Sequence, residues 1–273
     1  MCVGVAESRT APLGLVASLR SHWPEYAIEA AGLGLFMVSA CGFGTLLEHP
    51  DSRVHQAIGS PFLRRALMGM AMGGTAIGII YSRWGKRSGA HLNPATTWAF
   101  LRVGHVRAAD ALFYTLAQFA GGAAGVLLMA ALLGSRLAHP SVNYVATVPG
   151  MRGPLVAFLA EVAMTFILMT IVLTVSSRPR WARWTGVCAG ILVATYIAFE
   201  APVSGMSLNP ARTFASSVVA QFWKSPWVYF LAPVLGMQLA ALAHLHRRAP
   251  VACAKLHHEN TQRCIFCETA PRP

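Results

Sequence analysis

Six long stretches of this 273-residue sequence contain no Asp, Lys or Arg, and a single Glu, Glu161, interrupts one of them. Each stretch has 16 to 25 residues, close to the roughly 20 that a helix needs to cross the apolar core of a bilayer. We therefore predict six transmembrane helices, which lie within residues 30–47, 66–82, 111–135, 153–177, 184–199 and 225–246.

The composition excludes several other classes of protein. Apolar residues make up 55% of the chain and charged residues only 12%, whereas about a quarter of a soluble domain is charged. A membrane β-barrel would show alternating rather than continuous apolar segments. The chain has no zinc-protease, nucleophile-elbow or phosphate-loop motif, so we expect neither an enzyme nor a cofactor.

The Lys and Arg residues behind the net charge of +12 are distributed unevenly between the two sides of the predicted spans. With the N-terminus inside, 15 of the 22 basic residues fall on the cytoplasmic side. Cytoplasmic loops are enriched in Lys and Arg. We therefore predict a multi-pass protein of the cell membrane with both termini in the cytoplasm, and no nucleic-acid partner.

Two further apolar stretches, residues 88–101 and 201–223, are too short or too interrupted to span, and each has an Asn-Pro in its middle. The residue before a proline avoids the helical region, while proline suits the first turn of a helix. Each stretch therefore predicts a non-helical segment followed by a short helix that begins at Pro94 or Pro210. Irregular backbone at membrane depth is tolerated where it lines a cavity or is buried in protein, so we expect a pore.

The two Asn-Pro segments belong to an internal repeat. Residues 88–99 and 204–215 are identical at eight of twelve positions, and three predicted spans separate them. Because three is odd, the two halves must have opposite orientations in the membrane. The sequence thus predicts an N-terminal segment (1–26), a channel domain (27–247) with inverted halves at about 27–135 and 153–247, and a C-terminal tail (248–273).

Both strings contain an Asn-Pro-Ala box, and the second box is followed by Arg212. The boxes are Asn93, Pro94, Ala95 and Asn209, Pro210, Ala211. Two such boxes in this topology resemble the major intrinsic protein family of aquaporins and aquaglyceroporins. The resemblance implies an all-α membrane fold of six transmembrane helices and two re-entrant half-helices around one pore. It also implies a homotetramer in membrane lipid that passes water and small neutral molecules.

The physical chemistry of the boxes supports a channel that excludes ions. Each half-helix directs its N-terminus, with roughly half a positive charge, toward the membrane centre. Asn93 and Asn209 can donate to a passing water molecule, while the positive centre repels protons and cations. The non-helical approaches should present a series of carbonyl acceptors, which we assign to Gly89, Ala90, His91, Gly205 and Ser207.

By resemblance, the selectivity filter lies at fixed distances from the two boxes and consists here of Gly73, Ile197, Met206 and Arg212. This set contains neither the aromatic residue nor the histidine of water-selective members, so we expect a wider, apolar constriction. It would pass small uncharged solutes such as glycerol, urea, peroxide or metalloid acids along with water. Glycerol channels of the family have Asp at the position of Thr213, so a strictly water-selective channel remains the alternative function.

Glu29 and Glu161 occupy matching positions in the two halves, and charges inside the membrane mark function or structure. We expect both carboxylates to accept hydrogen bonds from the loops that precede the boxes. If they instead lay beside a substrate site, they would indicate an ion-coupled secondary transporter, which remains a less favoured alternative.

The thiols and imidazoles of the C-terminal tail are of types that bind zinc, and the candidate ligands are Cys253, Cys264, Cys267 and one of two adjacent histidines, for which we take His257 over His258. Thiolates and imidazoles with a Cys-x-x-Cys spacing suit a tetrahedral site. A single such pair is a weak signal, so a solvated or partner-binding tail without metal is the favoured alternative.

Overall fold

The computed structural model describes residues 14–259 and 261–268. Eight principal helices form the architecture, and the remaining helical turns in this part of the chain are six residues or shorter. The principal helices are α1 (Leu15–Glu48), α2 (Pro61–Tyr81), α3 (Pro94–Arg102), α4 (Ala108–Leu133), α5 (Pro154–Ser176), α6 (Thr185–Phe199), α7 (Pro210–Ala220) and α8 (Pro226–His246).

The helical membrane architecture predicted from the sequence is confirmed. Each of the six apolar stretches lies, to within two residues at its ends, in one of the six long helices, and five of these helices are long and apolar enough to cross a membrane. The sixth, α2, has 21 residues, but Arg64 and Arg65 at its beginning reduce its hydropathy. The two half-helices begin at Pro94 and Pro210, as the Asn-Pro pairs predict.

Helix packing follows the inverted repeat. The most extensive contacts join α1 to α4 in the first half, α5 to α8 in the second half, and α2 to α6 across the two. Each half-helix packs against the last long helix of the other half, so that α3 contacts α8 and α7 contacts α4. The halves therefore interlock around the half-helices rather than standing side by side.

Small residues allow the long helices to approach closely. A Cβ atom on Gly121 of α4 would lie 2.0 Å from the carbonyl oxygen of Ala30 in α1. Close approach through small residues is typical of helix packing in membranes, where van der Waals contact rather than water exclusion drives association. On the outside of α4, large apolar side chains such as Leu116, Leu127 and Leu132 are exposed, as lipid contact requires.

Helix α1 begins at Leu15, well before the predicted start of the channel domain, while residues 1–13 lie outside the described part of the chain. Its first turns bury a polar face. His22 Nδ1 donates to Asp110 Oδ1 at 2.7 Å, and the Tyr26 hydroxyl donates to the same oxygen at 2.6 Å. Arg87 Nε pairs with Glu25 Oε1 at 3.0 Å. These buried pairs extend the helix beyond the apolar stretch.

Candidate pore

A cavity of about 320 Å³ lies between the two halves. Asn93, Asn209 and Arg212 all line it, together with residues of both non-helical loops. Its remaining wall is mostly apolar and comes from the long helices. The boxes that the sequence places 116 residues apart are thus brought to one site.

The two boxes form reciprocal contacts at the centre of this cavity. Asn93 Nδ2 donates to the Leu208 carbonyl and Asn209 Nδ2 donates to the Leu92 carbonyl, both at 2.7 Å. Each Asn also caps its own half-helix, since its Oδ1 accepts from the backbone N–H two residues later, at 2.9 Å for Asn93 and 3.0 Å for Asn209. Each amide group uses one N–H in these contacts and keeps a second hydrogen that can face the lumen.

The loops before the boxes have matching, strained backbones. Gly89 and Gly205 have φ of 100° and 84°, which glycine adopts readily. In addition, Ala90 and Leu92 in the first loop, and their counterparts Met206 and Leu208, have φ between 50° and 58°. A non-glycine residue in this region costs about 1–2 kcal/mol, so other interactions must hold the loops in place.

The carboxylate of Glu29 supplies those interactions in the first loop. Its Oε1 accepts from Ser88 Oγ at 2.7 Å and from the His91 N–H at 3.1 Å. Its Oε2 accepts from the Leu92 N–H at 2.7 Å and from Gln118 Nε2 at 2.9 Å. Glu29 is fully buried, and its contacts join the first loop to α1 and, through Gln118, to α4.

Glu161 has the same role in the second loop. It accepts from Ser204 Oγ at 2.9 Å, from the Ser207 N–H at 2.6 Å and from the Leu208 N–H at 2.7 Å. Two tyrosines that the sequence analysis missed complete the symmetry, because the hydroxyls of Tyr114 and Tyr229 donate to the Ser88 and Ser204 carbonyls. Their spacing of 115 residues, close to that of the boxes, is the signal that could have found them.

The three residues predicted for the constriction from the second half lie on the cavity wall, and the residue predicted from the first half does not. Ile197, Met206 and Arg212 line the cavity. Gly73 instead faces α6, where a Cβ would lie 2.5 Å from the Gly190 carbonyl oxygen. The adjacent Met72 occupies the wall. The structure therefore does not support the assignment of Gly73, because a side chain at this position would point at α6 and the cavity-lining residue beside it is Met72.

Most of the predicted carbonyl residues also line the cavity. Ala90, His91, Gly205 and Ser207 lie on its wall. Gly89 does not line it, and its carbonyl accepts from the Leu256 N–H at 3.1 Å. Leu256 belongs to the tail and itself lines the cavity beside the first loop, a position that no pattern in the sequence predicts.

A cluster of hydroxyl groups holds the second loop near Arg212. Thr213 Oγ1 lies 2.5 Å from Ser207 Oγ and 2.8 Å from Thr147 Oγ1. Thr213 therefore links the second loop to the segment between the halves. Arg212 is different: its Nη1 is buried and has no hydrogen-bond partner among the described residues, so this donor is free to meet a molecule in the cavity.

The tail brings together a metal-ligating set that differs by one residue from the predicted one. Cys253, Cys264 and Cys267 group with His258, and their ligand atoms all lie within 4.8 Å of one another. His257, the predicted ligand, instead packs its ring against Tyr81 with centroids 4.9 Å apart. Adjacent residues in an irregular segment point to different sides, and the sequence could not distinguish them.

Comparisons with known proteins agree with this geometry. The family model described as major intrinsic protein matches residues 17–244. The chain belongs to the major intrinsic protein family. It is 30% identical to aquaporin NIP2-2 of Zea mays over 82% of this chain and 72% of that protein. It is 28% identical to the probable aquaporin TIP3-2 of Arabidopsis thaliana over 95% and 93% of the two chains.

A solved structure supports the fold of this family member. The X-ray structure of the aquaglyceroporin from Plasmodium falciparum matches with a TM-score of 0.65 at 18% identity, over 82% of this chain and 96% of that one. The protein is thus a membrane channel of the major intrinsic protein family, with the all-α aquaporin-like fold, and not an enzyme.

Proposed function

We propose that this family member is a passive channel for water and small uncharged solutes that excludes ions and protons. The observation that carries the proposal is the meeting of two half-helix N-termini at one cavity, through Asn93 and Asn209. Both helix ends contribute partial positive charge at the same point. A cation or proton is repelled there, whereas a neutral molecule can accept from the asparagine amides.

The constriction supports passage of solutes with an apolar part. Met72, Ile197 and Met206 supply aliphatic and thioether surface, and Arg212 supplies donors on one side. No aromatic or imidazole ring belongs to this set of four. A solute with hydroxyl or carbonyl oxygens and a short carbon skeleton fits both surfaces, because its oxygens can face Arg212 while its carbons contact the other three.

The carboxylates argue against a secondary transporter. Glu29 and Glu161 are fully buried and bonded to the loops, so neither is free beside a substrate. Glu48 lines the cavity but pairs with Arg64 at 3.2 Å. Ion coupling would need a carboxylate that can exchange its partner for a cation.

Replacing Met72 by Phe tests the solute part of the proposal. A rigid ring at this wall position should reduce glycerol and urea flux into proteoliposomes more strongly than water flux, measured by stopped-flow light scattering. The matched control is Met70→Phe, because Met70 lies on the same helix and is 60% exposed on its outer surface. The control should keep the wild-type permeabilities.

Two results would contradict the proposal. Solute flux that saturates with concentration would indicate a carrier rather than a channel. A wild-type channel that passes water and rejects every neutral solute would favour the strictly water-selective alternative, in which Met72 itself narrows the pore.

The same proposal includes the orientation and assembly. The excess of Lys and Arg supports cytoplasmic termini in the cell membrane, and protease protection of tagged termini in intact cells would test it. The homotetramer rests on the family resemblance. Cross-linking in native membranes should give a species of four chains.

A further inference from the structure

The tail carries a cluster of ligands that the channel function does not use. We call Cys253, His258, Cys264 and Cys267 the tail cluster. Cys253 Sγ lies 3.5 Å from Cys264 Sγ, and His258 Nε2 lies 3.3 Å from Cys267 Sγ. In a tetrahedral zinc site with 2.3 Å metal–sulfur bonds, neighbouring sulfurs are about 3.8 Å apart. The four ligand atoms therefore lie near the corners of a tetrahedron, with all separations within 4.8 Å.

The chemistry of the cluster indicates the class of ion. Three thiolates and one imidazole make a closed, four-coordinate set that suits zinc and does not suit the oxygen-preferring cations magnesium or calcium. The separation of 3.5 Å is far beyond the roughly 2 Å of a disulfide bond, and the three cysteines are free thiols. Metal binding would release their protons to the solvent.

The tail lies against the loop that precedes the first box. His91 Nε2 donates to the Ala254 carbonyl at 2.6 Å, and the Leu256 N–H donates to the Gly89 carbonyl at 3.1 Å. The Phe266 ring stacks on the His91 ring with centroids 5.5 Å apart and planes 12° from parallel. Both ring and backbone contacts thus join the tail to the pore loop.

A buried lysine strengthens this docking. Lys255 is only 1% exposed, and its Nζ donates to the Lys86 and Arg263 carbonyls at 2.8 Å each. A buried ammonium group is unfavourable without such partners. These bonds connect the chain at Lys86, just before the first box, to the tail at Lys255 and at Arg263.

The ligands bracket the residues that dock. Leu256 lies between Cys253 and His258, and Phe266 lies between Cys264 and Cys267. An ion bound to the tail cluster would fix both docking segments relative to each other. Leu256 lines one end of the cavity, so a fixed tail places an apolar side chain at the mouth of the pore.

We propose that the tail cluster binds one zinc-class ion and that the metal-bound tail closes this mouth of the pore. The closure rests on the proposed channel function, whereas the metal site does not. Without the ion, the two docking segments are no longer held together, the Gly89 carbonyl is released, and the pore opens.

Cobalt(II) titration of the detergent-solubilised full-length protein tests the metal site. Wild-type protein should bind one cobalt per chain with the charge-transfer absorption of tetrahedral thiolate ligation, and zinc should displace it. Cys264→Ser combined with Cys267→Ser should lose this absorption. Cys188→Ser is the matched control, because Cys188 lies in α6 outside the tail, and it should bind as wild type does. Absence of the absorption from wild-type protein, or its persistence in the double variant, overturns the proposal.

Stopped-flow swelling of proteoliposomes tests the closure, with zinc or a zinc chelator in both compartments. Wild-type water flux should rise several-fold in the chelator, while the double cysteine variant should be open in both. Leu256→Ala combined with Phe266→Ala keeps all four ligands and should remain open in zinc.

The possible outcomes separate the two proposals. Equal wild-type flux in zinc and chelator overturns the closure, even if cobalt binds. Flux absent from every variant in both conditions contradicts the channel function and the closure with it, and the cobalt titration still decides the metal site.

Discussion

Glu29→Gln removes one acceptor oxygen from a buried point where four donors converge. The donors are Ser88 Oγ, the His91 and Leu92 N–H groups, and Gln118 Nε2. A glutamine amide offers one oxygen and one NH₂ group, so the two donors that contacted the replaced oxygen would face the NH₂ group. The Ser88 hydroxyl can accept instead, and the Gln118 amide can turn its oxygen inward, but a backbone N–H cannot adapt.

The expected loss follows from this count. Whichever of the two oxygens the NH₂ group replaces, one backbone N–H is left without an acceptor, which costs about 1–3 kcal/mol in a buried site. The bonds that remain change from charge-assisted to neutral and each weakens by roughly 1 kcal/mol. Relief from burying the charge offsets part of this loss. We expect the free energy of unfolding to fall by about 2–4 kcal/mol.

The assay combines unfolding in detergent with swelling of proteoliposomes. The matched control for unfolding is Glu48→Gln, because Glu48 pairs with Arg64 where its side chain is 36% exposed, and such a pair contributes less than about 1 kcal/mol. Glu29→Gln should also reduce water flux, because Leu92 and Ala90 lose the bond network that opposes their backbone strain. A Glu29→Gln variant that unfolds as Glu48→Gln does and conducts as the wild type does would refute this account of the loop.

Three further predictions concern single side chains. Arg212→Ala should leave the fold intact but admit protons or cations, measured with a pH dye in proteoliposomes. If the variant leaks no more protons than the wild type does, Arg212 is not part of the filter. Gly73→Ala should destabilise the protein by about 1–3 kcal/mol because its Cβ meets the α6 backbone, whereas Gly74→Ala, with nothing within 4 Å, should not; equal melting temperatures would refute the packing. Burial raises the pKa of Glu200 from 4.5 to about 7, so folding stability falls as pH rises across that interval. Glu200→Gln should therefore raise the melting temperature at pH 8 and not at pH 4, and equal shifts at both would contradict the assignment.

The fold and the centre of the pore could be predicted because their signals are local. An Asn-Pro pair inside an apolar stretch specifies both a helix start and the irregular backbone before it, and the structure begins helices at Pro94 and Pro210. Glu29 and Glu161 could be placed from the energetic requirement that a buried carboxylate has donors. The repeat then related one half to the other.

The constriction and the tail could not be predicted in the same way. Assigning Gly73 required a fixed count of residues back from Asn93, yet α2 ends at Tyr81 and a separate turn, Arg83–Ser88, intervenes. Successive side chains of a helix point about 100° apart, so an error of one residue replaces a residue that lines the cavity by one that contacts α6. The periodicity of the helix could have identified the correct face, because Met68, Met72 and Ala76 lie four residues apart and all line the cavity.

The docked tail makes the two pore loops differ, although the internal repeat and the asparagine contacts make them alike. Each asparagine donates to one carbonyl of the opposite loop, that of Leu92 or Leu208, so each of these carbonyls has one acceptor position fewer for water. In the second loop no described residue donates to the Gly205 carbonyl. In the first loop the matching carbonyl of Gly89 accepts from Leu256. The docked tail therefore takes a hydrogen-bond acceptor from the pore loop at the same end where its leucine meets the cavity, and undocking would change polarity and width there together.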